Sequence, residues 1–301
     1  MKIDRQPYLR IVVNYSQRCN MRCTWCHEEG MSLSTDTSLM SPAAIGQVAN
    51  MMHSTGTKKF KIVGGEPTLR GDLVQIIQTL RAIGSDIDVS MVTNGSRLQR
   101  HVREFQDAGL NRVNVSLYTL DRQFFQENVG ALPLFDATLK GIDASVELGL
   151  CGKINHVYQD RSTLLDVLAF ARDRRVRVNV LNKIPSMSDH SAMPVSELLL
   201  VLQDLPIDES HLEDDPYSLP VRVMTLGDGT ELEIKHLELG LQDRFNSCIS
   251  CGVRGMCKEG IFAVRLTPDG SLQPCIVRDD NSLRRVAQRT KRELTHYLRH
   301  L

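Results

Sequence analysis

Three cysteines stand within eight residues, Cys19-Asn20-Met21-Arg22-Cys23-Thr24-Trp25-Cys26, in the spacing C-x3-C-x2-C. A [4Fe–4S] cluster takes one thiolate per iron, so three thiols this close leave one iron open to a small chelating molecule. The same run also admits a structural zinc site, for which His27 would be the fourth ligand. A second group, Cys248-x2-Cys251-x5-Cys257 followed by Gly270 and Cys275, offers four thiolates, a set that suits tetrahedral zinc or a closed cluster. Cys151 stands apart and reads as a small buried hydrophobe.

Those thiols need a reducing compartment and a fold that holds them. The chain of 301 residues carries 36 basic and 36 acidic side chains, and this balance argues against a long nucleic-acid or membrane surface. A small-molecule substrate fits it better. No apolar run approaches the length of a membrane span, and Met1 to Arg10 lack the apolar core of a signal peptide. The expected location is cytoplasmic, with the cysteines reduced and available to metals.

Short β-rich runs near 8–15, 58–63, 87–92, 111–117, 152–158 and 175–181 alternate with amphipathic helical stretches. That alternation predicts parallel strands joined by helical crossovers, an α/β chain whose six βα units form a partial (β/α)6 TIM-like barrel. Chemistry in such folds gathers at the C-terminal ends of the strands. The cysteine loop after the first strand and Gly64-Gly65-Glu66-Pro67 after the second both fall there. The barrel is expected over 1–205, with a short helix near 195–203. A connecting segment over 206–220 lies in a solvated acidic stretch, and 221–301 would form a small α+β domain around the second cysteine group. Hairpins are expected across Gly227-Asp228-Gly229 and Pro268-Asp269-Gly270, then a basic helix from about Ser282 as a solvated face.

The first cysteine run, with an aromatic residue ahead of its third cysteine, resembles the signature of the radical S-adenosylmethionine (SAM) superfamily. Further landmarks resemble the GTP 3′,8-cyclase group within it: Tyr8-Leu9-Arg10-Ile11, Gly64-Gly65-Glu66-Pro67 with Leu69-Arg70, Thr93-Asn94-Gly95, Val115-Ser116-Leu117, Lys153-Ile154-Asn155, and Arg265-Leu266-Thr267 with Pro274-Cys275. The resemblance implies that Cys19, Cys23 and Cys26 hold a [4Fe–4S] cluster whose open iron binds SAM, and that an external donor of flavodoxin or ferredoxin type reduces it. By the same resemblance Trp25 would lie near adenine, and Gly64, Gly65, Glu66 and Pro67 would line the methionine end of SAM. Thr93, Asn94 and Ser116 would reach its ribose and carboxylate. Arg10, Lys61, Arg70, Lys153, Asn155 and Arg265 would face an anionic or nucleotide-like substrate. Cys248, Cys251, Cys257 and Cys275 resemble the ligands of an auxiliary cluster of the Twitch or SPASM type.

Two departures bear on the reaction. Where the cyclase group has Asn-Arg-x-Arg after its second auxiliary cysteine, this chain has Phe262-Ala263-Val264-Arg265. It also offers four auxiliary cysteines, and a cluster held by four thiolates has no iron open to a substrate. Hydrogen abstraction from a small substrate in a biosynthetic pathway is the leading expectation, and the chemistry after abstraction stays open. Modification of a ribosomally made peptide is one alternative. A metal-binding structural protein that does not turn SAM over is another.

Overall fold

The computed structural model describes residues 8–31, 38–183, 193, 195–214, 220–235, 263–276 and 282–300. Its first six strands are β1 (Tyr8–Val12), β2 (Lys59–Val63), β3 (Asp88–Thr93), β4 (Arg112–Ser116), β5 (Cys151–Val157) and β6 (Val178–Leu181). They pair in chain order, all parallel. Between them run α1 (Pro42–His53), α2 (Leu73–Arg81), α3 (Leu98–Asp107), α4 (Arg122–Asn128), α5 (Leu132–Glu147) and α6 (Arg161–Arg172). Local chemistry fixes several helix starts. The Ser41 side chain accepts from the Ala44 N–H with Pro42 in the first turn, and Asp160 and Thr163 form a reciprocal capping box.

Alternation along each strand separates two faces. Leu9, Ile11, Phe60, Ile62, Val89, Met91, Val113, Val115, Ile154, Val178 and Val180 join the helices in one apolar core. The opposite face is mixed, with polar and charged side chains next to a buried cluster of Val12, Val63, Tyr15 and Met31 against which Val92 packs. Arg10 is in register with Lys61, Lys61 with Ser90, and Ser90 with Arg112. One step up the neighbouring strands, Asn114 pairs with Lys153, and Ser116 with Asn155. The inner face therefore carries a row of charged side chains beside a small apolar cluster.

The remaining elements are α7 (Val195–Gln203), β7 (Ile207–Glu213), β8 (Val221–Leu226), β9 (Glu231–Lys235), β10 (Ala263–Leu266), β11 (Leu272–Gln273) and α8 (Lys291–His300). The eleven strands among the described residues form one sheet in the order β11-β10-β1-β2-β3-β4-β5-β6-β9-β8-β7. Residues 221–235 extend it beyond β6, while 263–276 extend it beyond β1, where β10 lies parallel to β1. Both ends of the six-strand barrel, which would otherwise be open edges, are thereby paired.

Two expectations need correction. The connecting segment expected over 206–220 contains a strand, β7, antiparallel to β8. Its acidic residues are exposed, as expected of a solvated stretch, because β7 is an edge strand. The basic helix expected from Ser282 begins only at Lys291. Ahead of it Leu283 bridges Leu272, and a 3-10 turn spans Val286–Gln288. Both hairpins form where their glycines predict, with Gly229 and Gly270 at φ +81° and +83°.

Candidate active site

The loop leaving β1 carries Cys19, Cys23 and Cys26 and is pinned at the end of α4. The N–H of Arg22 donates to the Val129 carbonyl at 2.8 Å and that of Thr24 to Asn128 at 3.0 Å. Met21 plugs an apolar floor of Phe125, Val129 and Phe135, against which Cys19, Cys23, Trp25 and Tyr118 also pack. Burial pushes the Cys23 thiol up to about 12, with Cys26 and Cys19 adding to the rise, and it raises Cys19 and Cys26 as well. Metal binding must therefore displace protons from all three. Among the described residues no three His, Cys, Asp or Glu side chains converge tightly enough to hold one metal ion.

The Gly64-Gly65-Glu66-Pro67 loop lies against the start of the cysteine loop. A Cβ on Gly65 would stand 2.4 Å from the Tyr15 carbonyl oxygen and 2.6 Å from that of Arg18, and Gly64 holds φ +149° beside Asn14. The glycines let one loop approach another. Backbone bonds follow from that approach: Gly65 N–H to the Asn14 carbonyl and Glu66 N–H to that of Arg18. The Glu66 side chain turns inward, 1% exposed. One of its oxygens accepts from Thr68 N–H at 3.0 Å and from the hydroxyls of Thr68 and Thr93, each at 2.6 Å, while the other accepts from Asn94 N–H at 2.8 Å. A carboxylate has about four acceptor sites. Three of these bonds fall on one oxygen and one on the other, so Glu66 clamps the ends of β2 and β3 and keeps an acceptor site on its second oxygen.

Asn94 continues the clamp toward the cysteines. Its amide donates to the Asn20 side chain at 2.8 Å, and its oxygen accepts from the Ser96 N–H and hydroxyl. At the end of β4, Ser116 hydrogen-bonds the buried Tyr118 hydroxyl, whose pKa is raised by burial first and by the nearby thiols second. The Tyr118 ring meets Trp25 edge-on at 5.0 Å between centroids, and Phe124 stacks on Trp25 at 6.1 Å. Asn20 and Tyr118 were not among the predicted site residues. Their roles depend on contacts with β3 and β4 that local spacing does not reveal.

On the inner face, Arg10 donates to Glu29 at 2.5 Å and Arg265 to the other carboxylate oxygen at 3.4 Å. Burial opposes ionisation of Glu29, yet Arg10, His27 and Arg265 hold it down to about 2. Lys61 lies beside them with its ammonium 5.1 Å from the Tyr8 ring centre. Burial lowers its pKa to about 8, with Arg10, Lys153 and Arg112 pushing the same way. Lys153 pairs with Glu233, which also meets Arg177, and Asn155 accepts from Asn179 at 2.8 Å. Arg70 is elsewhere. Its guanidinium, in a side chain 4% exposed, donates to the carbonyls of Val13 and Met40 and pairs with Asp72. The substrate role expected of Arg70 is therefore replaced by a structural one. Cys275 is half-buried just after β11, while Cys248, Cys251 and Cys257 lie outside the described residues.

The profile of the Radical SAM superfamily matches residues 13–173. The chain belongs to that superfamily. It is 31% identical over 284 residues to a probable GTP 3′,8-cyclase of Methanococcus aeolicus, covering 89% of this chain and 85% of that protein. A probable GTP 3′,8-cyclase of Methanocaldococcus jannaschii is 29% identical over 277 residues with the same coverage. Among solved structures, native anSMEcpe with bound AdoMet matches with TM-score 0.61 and 17% identity, over 95% of this chain and 79% of that one. Streptococcus suis SuiB bound to precursor peptide SuiA matches with TM-score 0.61 and 17% identity, over 90% of this chain but only 60% of SuiB. Both show a shared fold.

A radical SAM enzyme carries a [4Fe–4S] cluster and SAM, and the residues present fit that pair. Three soft thiols sit on one loop after β1, two of them, Cys19 and Cys23, packed on the aromatic floor.

Proposed function

We propose that this radical SAM enzyme abstracts a hydrogen atom from a small anionic or nucleotide-like substrate held on the inner face of the barrel. One observation carries the reading: Lys61, an inner-face amine that meets no carboxylate among the described residues, next to the Arg10, Arg265 and Glu29 group. A buried ammonium left without a counter-ion is costly unless an anion arrives to meet it. The curated relatives named probable GTP 3′,8-cyclases make a nucleotide the first substrate to try.

Bound on Cys19, Cys23 and Cys26, the cluster with SAM supplies a 5′-deoxyadenosyl radical for hydrogen abstraction. The chain's own part is positioning. Trp25, wedged by Tyr118 and Phe124, would flank adenine, and the backbone of Gly64 to Pro67 would line the methionine end. Thr93 and Asn94 would act through the Glu66 clamp that sets their backbone, and Ser116 through its bond to Tyr118. Lys61, Arg10 and Arg265 would orient the substrate's anionic end. Lys153 and Asn155 would meet its polar remainder, Lys153 while shared with Glu233. Cys248, Cys251, Cys257 and Cys275 are proposed to hold a second cluster, and a cytoplasmic flavodoxin or ferredoxin to deliver the electron.

The test is anaerobic reconstitution with iron and sulfide, iron counting, and detection of 5′-deoxyadenosine after adding SAM and a reductant. About eight irons per chain with SAM cleavage, stimulated by GTP or another nucleotide, is the expected result. Zinc in place of iron and no cleavage would refute it.

A further inference from the structure

Glu29 belongs to the segment just after Cys26, yet its carboxylate reaches the inner face and lies between Arg10 and Arg265, which are in register on adjacent strands. It comes from neither strand. The backbone that delivers it is unusual, because Glu28 and Glu29 are both left-handed, at φ 54° and 55°. Such a conformation is uncommon for a side chain of this size and persists only where surroundings impose it. The pairing is also incomplete. Arg10 Nε is buried without a hydrogen-bond partner, although Nη2 of the same guanidinium meets Glu29. A guanidinium presents its donors in a fork that suits two parallel bonds to one oxyanion, and Glu29 engages the two arginines singly. An anion arriving at the inner face could satisfy that fork better.

We propose that Glu29 is a built-in counter-ion for the Arg10 and Arg265 site, which an anionic group of the substrate displaces. Displacement frees the Glu28 and Glu29 turn from its left-handed conformation, and the movement is felt at Cys26, three positions away. Occupancy of the Arg10 and Arg265 site is thereby coupled to the cysteine loop. This inference rests on the reading that the substrate is anionic.

The experiment uses the full chain with its cluster reconstituted, and inorganic pyrophosphate as the probe. Calorimetry on the unmodified protein and on Glu29→Gln compares affinities, with Glu29→Asp as a second variant that keeps the charge but shortens the reach. The expected result is pyrophosphate binding at least about tenfold tighter in Glu29→Gln, intermediate in Glu29→Asp, because the competitor is removed or weakened. In the unmodified protein, pyrophosphate should change the electron paramagnetic resonance line shape of the reduced cluster. Equal or weaker binding in Glu29→Gln, or an unchanged line shape at saturating pyrophosphate, overturns the displacement. If neither protein binds pyrophosphate while both cleave SAM, the counter-ion proposal fails and the enzyme's radical chemistry stands. If pyrophosphate binds tightly but SAM is never cleaved, the functional reading fails and the displacement is judged on affinity alone.

Discussion

Replacing Glu66 by alanine separates a clamp from a ligand contact. Four donors converge on this one buried carboxylate, two of them hydroxyls that can rotate to other partners and two of them backbone N–H groups that cannot. A hydrogen bond to a charged acceptor contributes about 1.5–3 kcal/mol, and a stranded buried donor costs about 1–3 kcal/mol. The loss is offset in part because Glu66→Ala no longer buries a carboxylate, a cost visible in the upward pressure of burial on its pKa. The net is a destabilisation of about 4 kcal/mol. With an unfolding entropy of about 2.1 cal/mol/K per residue, that corresponds to a Tm lower by about 6 °C for this chain. Glu66→Gln keeps one oxygen for three donors but turns its NH2 toward the Asn94 N–H, so about half the loss is expected. Circular dichroism melts of the metal-free chain read the stability, and SAM calorimetry on the reconstituted chain reads the ligand. A Tm unchanged within about 1 °C, together with a large loss of SAM affinity, would refute the clamp and make Glu66 a direct contact.

Three further outcomes are expected. His156 is fully buried, its Nδ1 donates to the Leu117 carbonyl at 3.2 Å, and burial brings its pKa down from 6.5 to about 4. The unfolded chain takes up that proton first, so stability is complete above pH 6.5 and falls by up to about 3 kcal/mol as pH drops toward 4; urea midpoints across that window should show it, and His156→Gln should flatten the slope. Lys61 is charged below its pKa of about 8, so pyrophosphate affinity should fall as pH rises through about 8, and a slope that persists in Lys61→Met would assign the titration to another group. Arg70→Gln strands the carbonyls of Val13 and Met40 and should cost about 2–4 kcal/mol of stability with pyrophosphate affinity unchanged. The opposite pattern would return Arg70 to the substrate pocket.

The barrel was legible because each of its strands buries an apolar face under a helix and so shows a period, and because capping residues such as Ser41 and Asp160 act locally. The strand Ile207–Glu213 has no such face. It sits at the sheet edge with mostly exposed side chains, and its acidic residues read as solvated chain. The cysteine loop was legible for a different reason, since ligand spacing is a short-range property. Destinations of charged side chains were not. Arg70 and Arg265 are both isolated arginines in the sequence, but one is consumed by carbonyls from β1's exit and from Met40, and the other reaches a carboxylate 236 positions away. Glu29 sits in a run that draws the eye to its cysteines, and only the return of β10 beside β1 brings it a second arginine.

The distribution of charge on the inner strands bears on how the proposed substrate would be oriented. On the side of β10, β1 and β2, Arg10 and Arg265 meet Glu29, and Lys61 lies over the Tyr8 ring. On the side of β5, β6 and β9, Lys153 and Arg177 meet Glu233, with Glu213 and Glu231 also paired to Arg177. Ion pairs buried in a core are often no more stabilising than well-packed apolar side chains, and closed barrels of this type normally fill their centres with branched hydrocarbons. Charged side chains placed on the inner strands are therefore suited to binding. On the proposed reading an anionic group would meet Arg10 and Lys61 on β1 and β2, and the neutral part of the same molecule would lie beside Asn155 and Asn179. The C–H bond offered to the cysteine loop would then lie between those two ends, and exchanging Glu233 for glutamine, which leaves Lys153 underpaired, should pull the anion toward β5 and change which hydrogen is removed.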